Sequence, residues 1–238
     1  MNLKELYHQC VTLEKQKTDR IIPWLYYVIR PLSIAITKPL LWTSVTPVAV
    51  TLVSMMATVA GFALVGFGQN VSYRVIGWLG FFVWAVLDCV DGNIARCKGL
   101  ASDRGALWDA TGGYMALSLI FFASGIAAYY DHSIIEICDN ALYIVFGGMA
   151  SLLSLFPRLI MQKKKALEPG AEAVKAVGDK NSFNLSKIIA LNIESAIGFM
   201  QVVLLLAIIF HFLNLFALFY MLFNLLMTVY SLYQLLRA

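Results

Sequence analysis

Residues 46–68 carry no charged side chain, and four further stretches (75–90, 105–130, 141–161 and 189–236) are apolar over most of their length. A segment of about 20 apolar residues spans a bilayer as a helix, and only helices and closed barrels satisfy their backbone groups in lipid. At about 1.5 Å per residue the stretch 189–236 is too long for one crossing and reads as two, with a junction near 211–214. The expected fold is therefore all-α: a polytopic integral membrane protein with six transmembrane helices. Hydrophobic residues make up 60% of the 238 and charged ones only 13%, against roughly a quarter in soluble domains. That balance excludes a water-soluble enzyme and leaves no room for a sizeable soluble domain, so any chemistry belongs to side chains in or beside the membrane.

The first 42 residues read differently from the rest. Residues 1–20 are mixed in charge, with Leu6, Cys10 and Leu13 spaced for one face of a helix, and lack the basic start and apolar run of a cleavable signal peptide. Apolar stretches in 21–42 are interrupted by Pro23, Arg30, Pro31, Lys38 and Pro39 and decorated with Trp24, Tyr26, Tyr27 and Trp42, which reads as amphipathic helices lying in the interface. Two units follow: interfacial helices over 1–42 and a transmembrane domain over 43–238. The polar segment 163–186 reads as a linker with one helical turn near 171–176.

Of the 18 Lys and Arg residues, only Arg74 falls in a segment expected on the far side. The others precede the first span, lie between spans two and three or four and five, or follow the sixth, so both termini and both basic loops are expected in the cytoplasm. The net charge of +4 is thus a topology signal, and no nucleic-acid motif accompanies it.

Ionisable residues inside spans are costly and usually functional. Asp88 and Asp91 stand one helical turn apart near the end of the second span, and Asp109 stands about one turn into the third. Antiparallel neighbours joined near residue 100 would bring the three carboxylates to one depth and one pocket. Such a cluster needs positive charge: either Arg96 and Arg104 as an ion-pair knot, or hard divalent cations. The small residues Gly92, Ala95 and Gly105 clear space beside it, which suits a bulky ligand better than a knot.

The run Asp88-Cys-Val-Asp91-Gly92-Asn-Ile-Ala95-Arg96, then eight residues, Gly105, three residues and Asp109 resembles the signature of the CDP-alcohol phosphatidyltransferase family, D-x2-D-G-x2-A-R-x8-G-x3-D-x3-D. Seven of the eight fixed positions match with every spacing kept. The resemblance implies metal-dependent transfer of a phospho-alcohol unit from a CDP-alcohol donor, such as CDP-diacylglycerol, to an acceptor hydroxyl with release of CMP. It implies that Asp88, Asp91 and Asp109 hold Mg²⁺ or Mn²⁺ against the pyrophosphate, that Gly92, Ala95 and Gly105 leave room for the nucleotide, and that Arg96 pairs with charge at the site. It further implies a homodimer acting in phospholipid or related glycan and lipid biosynthesis, as a multi-pass protein of a bacterial inner membrane.

The eighth position departs from the signature: Gly113 stands where the family has an Asp that is both ligand and proposed general base. Deprotonation by another group, a specialised acceptor, or a member that binds metal and nucleotide without turnover all stay open. Small residues also let membrane helices pack closely, which is a structural reading of the pair Gly112 and Gly113. Arg158, after Pro157, reads as an anchor or as a holder of acceptor phosphate, and Glu194 as an interfacial or cavity residue. Cysteines 89 and 97 flank the acidic cluster and are expected to be reduced. His8, His132 and His211 form no expected metal or catalytic set.

Overall fold

The computed structural model describes residues 2–131, 137–167 and 185–237, and among these there are helices and no strands. Two short helices, α1 (Leu3–Cys10) and α2 (Leu13–Asp19), lead into a helical run that ends in α3 (Arg30–Leu40). Then come α4 (Pro47–Phe67), α5 (Val71–Cys97), α6 (Asp103–Tyr130), α7 (Asn140–Leu167), α8 (Leu185–Glu194), α9 (Phe199–Ile209) and α10 (Leu213–Arg237). Helices α4, α5, α6, α7 and α10 are long and apolar enough to cross a membrane. Met56 and Leu226 are 72% and 68% exposed, as expected of faces whose solvent is lipid. The chain is a polytopic helical membrane protein.

Four expectations are corrected. The apolar stretch 189–236 holds one long helix, not two: its first part is broken between α8 and α9, each about half a span in length. At the break the Gly198 N–H donates to the Ser195 carbonyl at 2.8 Å, and a Cβ at 198 would come within 3.0 Å of the Asn192 carbonyl oxygen. The segment Ser195-Ala-Ile-Gly198 is apolar enough that hydropathy passes over this turn. The junction near 211–214 is real: α9 ends at Ile209, and His211 adopts a left-handed φ of 56° before α10. Second, 1–20 is two helices; Thr12 caps α2 through its side chain, and Leu13 is 76% exposed while Leu6 and Cys10 are fully buried. Third, Cys97 is not a free thiol but is disulfide-bonded to Cys10, with Cα atoms 5.5 Å apart. A pairing across 87 residues depends on how α1 docks, which spacing cannot show. The basic segment expected to be linker from 163 begins later, since α7 runs on to Leu167; the turn expected near 171–176 lies outside the described residues.

Close helix approach fixes the register of the bundle. A Cβ on Gly80 would meet the Gly61 Cα at 2.9 Å, and one on Gly125 the Gly147 Cα at 2.7 Å, so α4 and α5, and α6 and α7, touch at backbone distance as small residues allow. Helix α4 packs against both α5 and α6, which touch each other only sparsely. At the end where α5 stops, Gly99 takes φ +66° and the Leu100 N–H reaches the Ala95 carbonyl at 2.8 Å, closing the helix in left-handed geometry. Ser102 then caps α6 through the Gly105 N–H at 3.1 Å. At the opposite end, Arg74 Nη1 meets Asp131 Oδ1 at 2.6 Å, and His211 Nδ1 lies 2.9 Å from the same oxygen.

Candidate functional site

The α4–α5 register that brings Gly61 to Gly80 also brings Thr51 to Asp91, whose Oδ2 accepts from Thr51 Oγ1 at 2.5 Å. Asp91 is buried. Asp88, one turn earlier on α5, instead lines cavities that it shares with Asp109 of α6. The three carboxylates are near one another, but among the described residues no three carboxylate, imidazole or thiol groups form a ready-made cage.

The single expected pocket is three adjoining cavities, and Asp109 lines all of them. The first, of about 180 Å³, lies between α4, α5 and α6 and is lined by Thr51, Asp91, Gly92, Ala95, Arg96 and Gly105 as well as Pro47 and Val48. The second, of about 450 Å³, is roofed by α2 and the start of α3 and takes in Asp88, Gly92, Arg96, Lys15, Asp19 and Arg30. The third, of about 300 Å³, opens between α5, α6 and α7 and takes in Asp88, Gly113, Tyr114, Arg158 and Ser195. Asp88, Asp91, Gly92, Ala95, Arg96, Gly105, Asp109 and Arg158 therefore line adjoining cavities, whereas Arg104 and Glu194 are not in their lining, and Asp91 and Arg158 face different cavities.

The arginines do not form the ion-pair knot. Arg96 donates from Nε to the Cys10 carbonyl and from Nη2 to Asn93 Oδ1 at 3.1 Å, and among the described residues no ion pair joins Arg96 or Arg104 to the three aspartates. A Cβ on Gly92 would stand 3.1 Å from Arg96 Nη1, so this glycine gives the guanidinium its place beside the cavity. Arg30 is bound by Asp19 at 2.8 and 3.0 Å, which ties α2 down as the roof. Arg158 reaches Glu194 only at 4.0 Å.

Several site residues escaped the sequence reading: Thr51, Trp84, Ser195 and the roof residues Lys15 and Asp19. Only Thr51 left a signal, since Thr51, Ser54 and Thr58 are spaced three and four apart on the first span and all three are buried. That polar stripe marks the face of α4 turned to the other helices.

The donor set fits a divalent cation. It is hard oxygen throughout, and carboxylates that share a cavity, as Asp88 and Asp109 do, favour a proton or a cation between them. Mg²⁺ commonly uses one or two carboxylates and completes its shell with water and substrate phosphate, so a three-residue cage is not required. No curated protein sequence matches this one as a relative. The family model for CDP-alcohol phosphatidyltransferase matches residues 44–230, a range that contains α4 to α9, most of α10, and Asp88, Asp91 and Asp109. The chain therefore belongs to the CDP-alcohol phosphatidyltransferase family.

Proposed function

We propose that the protein transfers a phospho-alcohol unit from a CDP-alcohol, with CDP-diacylglycerol the leading donor, to an acceptor hydroxyl and releases CMP. The observation that carries this reading is the convergence of the seven matching signature positions on adjoining cavities that share Asp109. Asp88, Asp91 and Asp109 would hold Mg²⁺ or Mn²⁺; a bound cation there would neutralise the pyrophosphate and the charge developing on departing CMP. Gly92, Ala95 and Gly105 line the narrow cavity suited to the nucleotide, with Arg96 held at its edge by Asn93 and the Cys10 carbonyl. The acceptor O–H bond breaks and its proton passes to water, the acceptor oxygen bonds to phosphorus, the phosphorus–oxygen bond to CMP breaks, and CMP leaves with the electron pair. Positioning in line is the main task left to the protein.

The lysine and arginine distribution supports cytoplasmic termini and a cavity mouth facing the cytoplasm, in a bacterial inner membrane, and the family supports a homodimer and a role in phospholipid or related glycan and lipid synthesis. Gly113 favours a second reading, in which metal and nucleotide bind without turnover. Purified protein with Mg²⁺ or Mn²⁺, given CDP-diacylglycerol and soluble CDP-alcohols with a broad acceptor panel, decides between them. The expected result is CMP release that is lost in Asp88→Asn and Asp109→Asn. Nucleotide binding without CMP from any pair favours the second reading, and wild-type-like activity in both variants overturns the site.

A further inference from the structure

Helix α2 turns one face into the second cavity. Thr12, Lys15 and Asp19 stand three and four residues apart, which puts them on one side of a helix, and all three line that cavity of about 450 Å³ together with Asp88, Asp109 and Arg96. Two contacts set this orientation: Thr12 caps α2 through the Lys15 N–H at 3.4 Å, and Asp19 is held by Arg30 at 2.8 and 3.0 Å. Leu13, Lys17 and Arg20 are exposed and line none of the three cavities. Basic residues on the outer face are enough to mark a membrane side, which accounts for Lys17 and Arg20 and leaves the inward lysine unexplained.

The charges around this cavity are only partly matched. Arg30 is paired with Asp19. Arg96 is held by neutral acceptors, the Cys10 carbonyl and Asn93 Oδ1, and among the described residues no ion pair joins Lys15 to a carboxylate. Lys15 and Arg96 are left facing the same space as Asp88 and Asp109. A divalent cation on the two carboxylates would offset their charge and leave the lysine and the arginine in excess, a balance that suits an anion with a charge on each of two phosphates. Gly92, Arg96 and Asp109 line both this cavity and the narrow one suited to the nucleotide. A pyrophosphate leaving the narrow cavity therefore passes Arg96 and comes under α2.

Building on the transferase reading above, we propose that Lys15 is a donor-binding residue whose ammonium holds the pyrophosphate of the CDP-alcohol from the roof of the second cavity. An ammonium is a compact point charge on a flexible stem, so it holds phosphate without the fixed geometry of an arginine fork. The family match covers 44–230, so this contact comes from a segment that the matched domain does not include. Because it reads charge alone, Lys15 favours a cytidine nucleotide with two phosphates over the bare nucleoside and is indifferent to the acceptor.

The test is equilibrium binding to the full chain in detergent with Mg²⁺ and no acceptor, using CDP, CDP-diacylglycerol and cytidine as probes. Lys15→Met keeps the apolar stem and removes the charge. It is expected to raise the Kd of both CDP compounds about tenfold to a hundredfold, to leave the Kd of cytidine unchanged, and to keep the thermal midpoint of the unliganded protein. Lys15→Arg is expected to recover part of the loss. Lys17→Met removes the same charge from the outer face of α2 and is expected to bind like wild type. In turnover, Lys15→Met is expected to raise the donor KM and leave the acceptor KM alone. A second measurement needs no variant: bound CDP is expected to protect Lys15, and not Lys17, from acetylation by acetic anhydride, read by peptide mass. Equal CDP affinity in Lys15→Met and wild type, or equal acetylation of Lys15 with and without CDP, overturns this proposal while leaving the transferase reading intact. A matching loss in Lys17→Met, or a loss of cytidine affinity in step with CDP, also overturns it, since the effect would then belong to general charge or to the placement of α2. Wild-type protein that binds no CDP compound removes both readings.

Discussion

Thr51 on α4 donates from Oγ1 to Asp91 Oδ2 on α5 at 2.5 Å, and both residues are buried. The contact makes α4, which carries no charge of its own, responsible for the direction in which a signature carboxylate points. Partners that orient ligating carboxylates typically contribute 10- to 100-fold in metal affinity or activity. Thr51→Val keeps the side-chain shape and removes the donor, so it is expected to raise the Mg²⁺ concentration needed for half-maximal CMP release by about that factor, while Thr51→Ser stays near wild type. An unchanged Mg²⁺ titration in Thr51→Val would show that Asp91 does not depend on this bond.

The same register predicts unequal effects at two glycines of α5. A Cβ at Gly80 would lie 2.8 Å from the Ala57 carbonyl oxygen and 2.9 Å from the Gly61 Cα. Both are backbone atoms that can yield only if the helices separate. Gly80→Ala is therefore expected to cost about 1–3 kcal/mol, the usual cost of overpacking, seen as a lower thermal midpoint in detergent. At Gly92 the nearest atom is the tip of the Arg96 side chain at 3.1 Å, which can move. Gly92→Ala is expected to keep the thermal midpoint and to raise the donor KM, because the displaced guanidinium enters the narrow cavity. The reverse pattern would mean that the α4–α5 contact is softer than its backbone distances imply.

These cases show which parts of the molecule could be read from the chain. Lipid leaves the backbone few options, so long charge-free runs such as 46–68 gave their helices directly, and the signature spacing placed Asp88, Asp91 and Asp109 near one end of the bundle. Side-chain direction was not legible. Asp88 and Asp91 share a face by spacing, yet they line different cavities and only Asp91 meets Thr51, because α4 packs against both α5 and α6. The break at Ser195–Gly198 and the cavity roof built by α2 were also hidden. Hydropathy averages over a four-residue turn, and α2 is tied down by the pair of Arg30 with Asp19, eleven residues away and without a motif.

The disulfide between Cys10 and Cys97 fastens α1 to the end of α5, one residue from Arg96, whose Nε donates to the Cys10 carbonyl. Reduction, or Cys10→Ser, is expected to lower the thermal midpoint by an amount corresponding to about 2–4 kcal/mol and to expose 11–20 to protease. Donor KM is expected to rise with it, since Arg96 loses one of its two restraints. A protein equally protease-resistant with and without reductant would show that α1 is held by the burial of Leu6 and Val11 alone.

At the opposite end of the bundle, Arg74 joins the α4–α5 turn to the end of α6, donating from Nε to the Gly68 carbonyl at 3.2 Å and pairing with Asp131 at 2.6 Å. Both side chains are almost wholly buried, and among the described residues Asp131 Oδ2 has no hydrogen-bond partner. Removing one member of such a pair strands the other charge, which typically costs about 3–5 kcal/mol, whereas replacing both by apolar residues is often neutral. Arg74→Ala is therefore expected to lower the thermal midpoint sharply, and the double variant Arg74→Met with Asp131→Leu to recover most of the loss. His211 approaches the same oxygen at 2.9 Å, but its side chain is 41% exposed, so His211→Ala is expected to cost about 1 kcal/mol or less. CMP release per folded molecule should be unchanged in all three, because the pair lies a full helix length from Asp109. A double variant no more stable than Arg74→Ala would mean that the Gly68 carbonyl, and not Asp131, is the partner that matters.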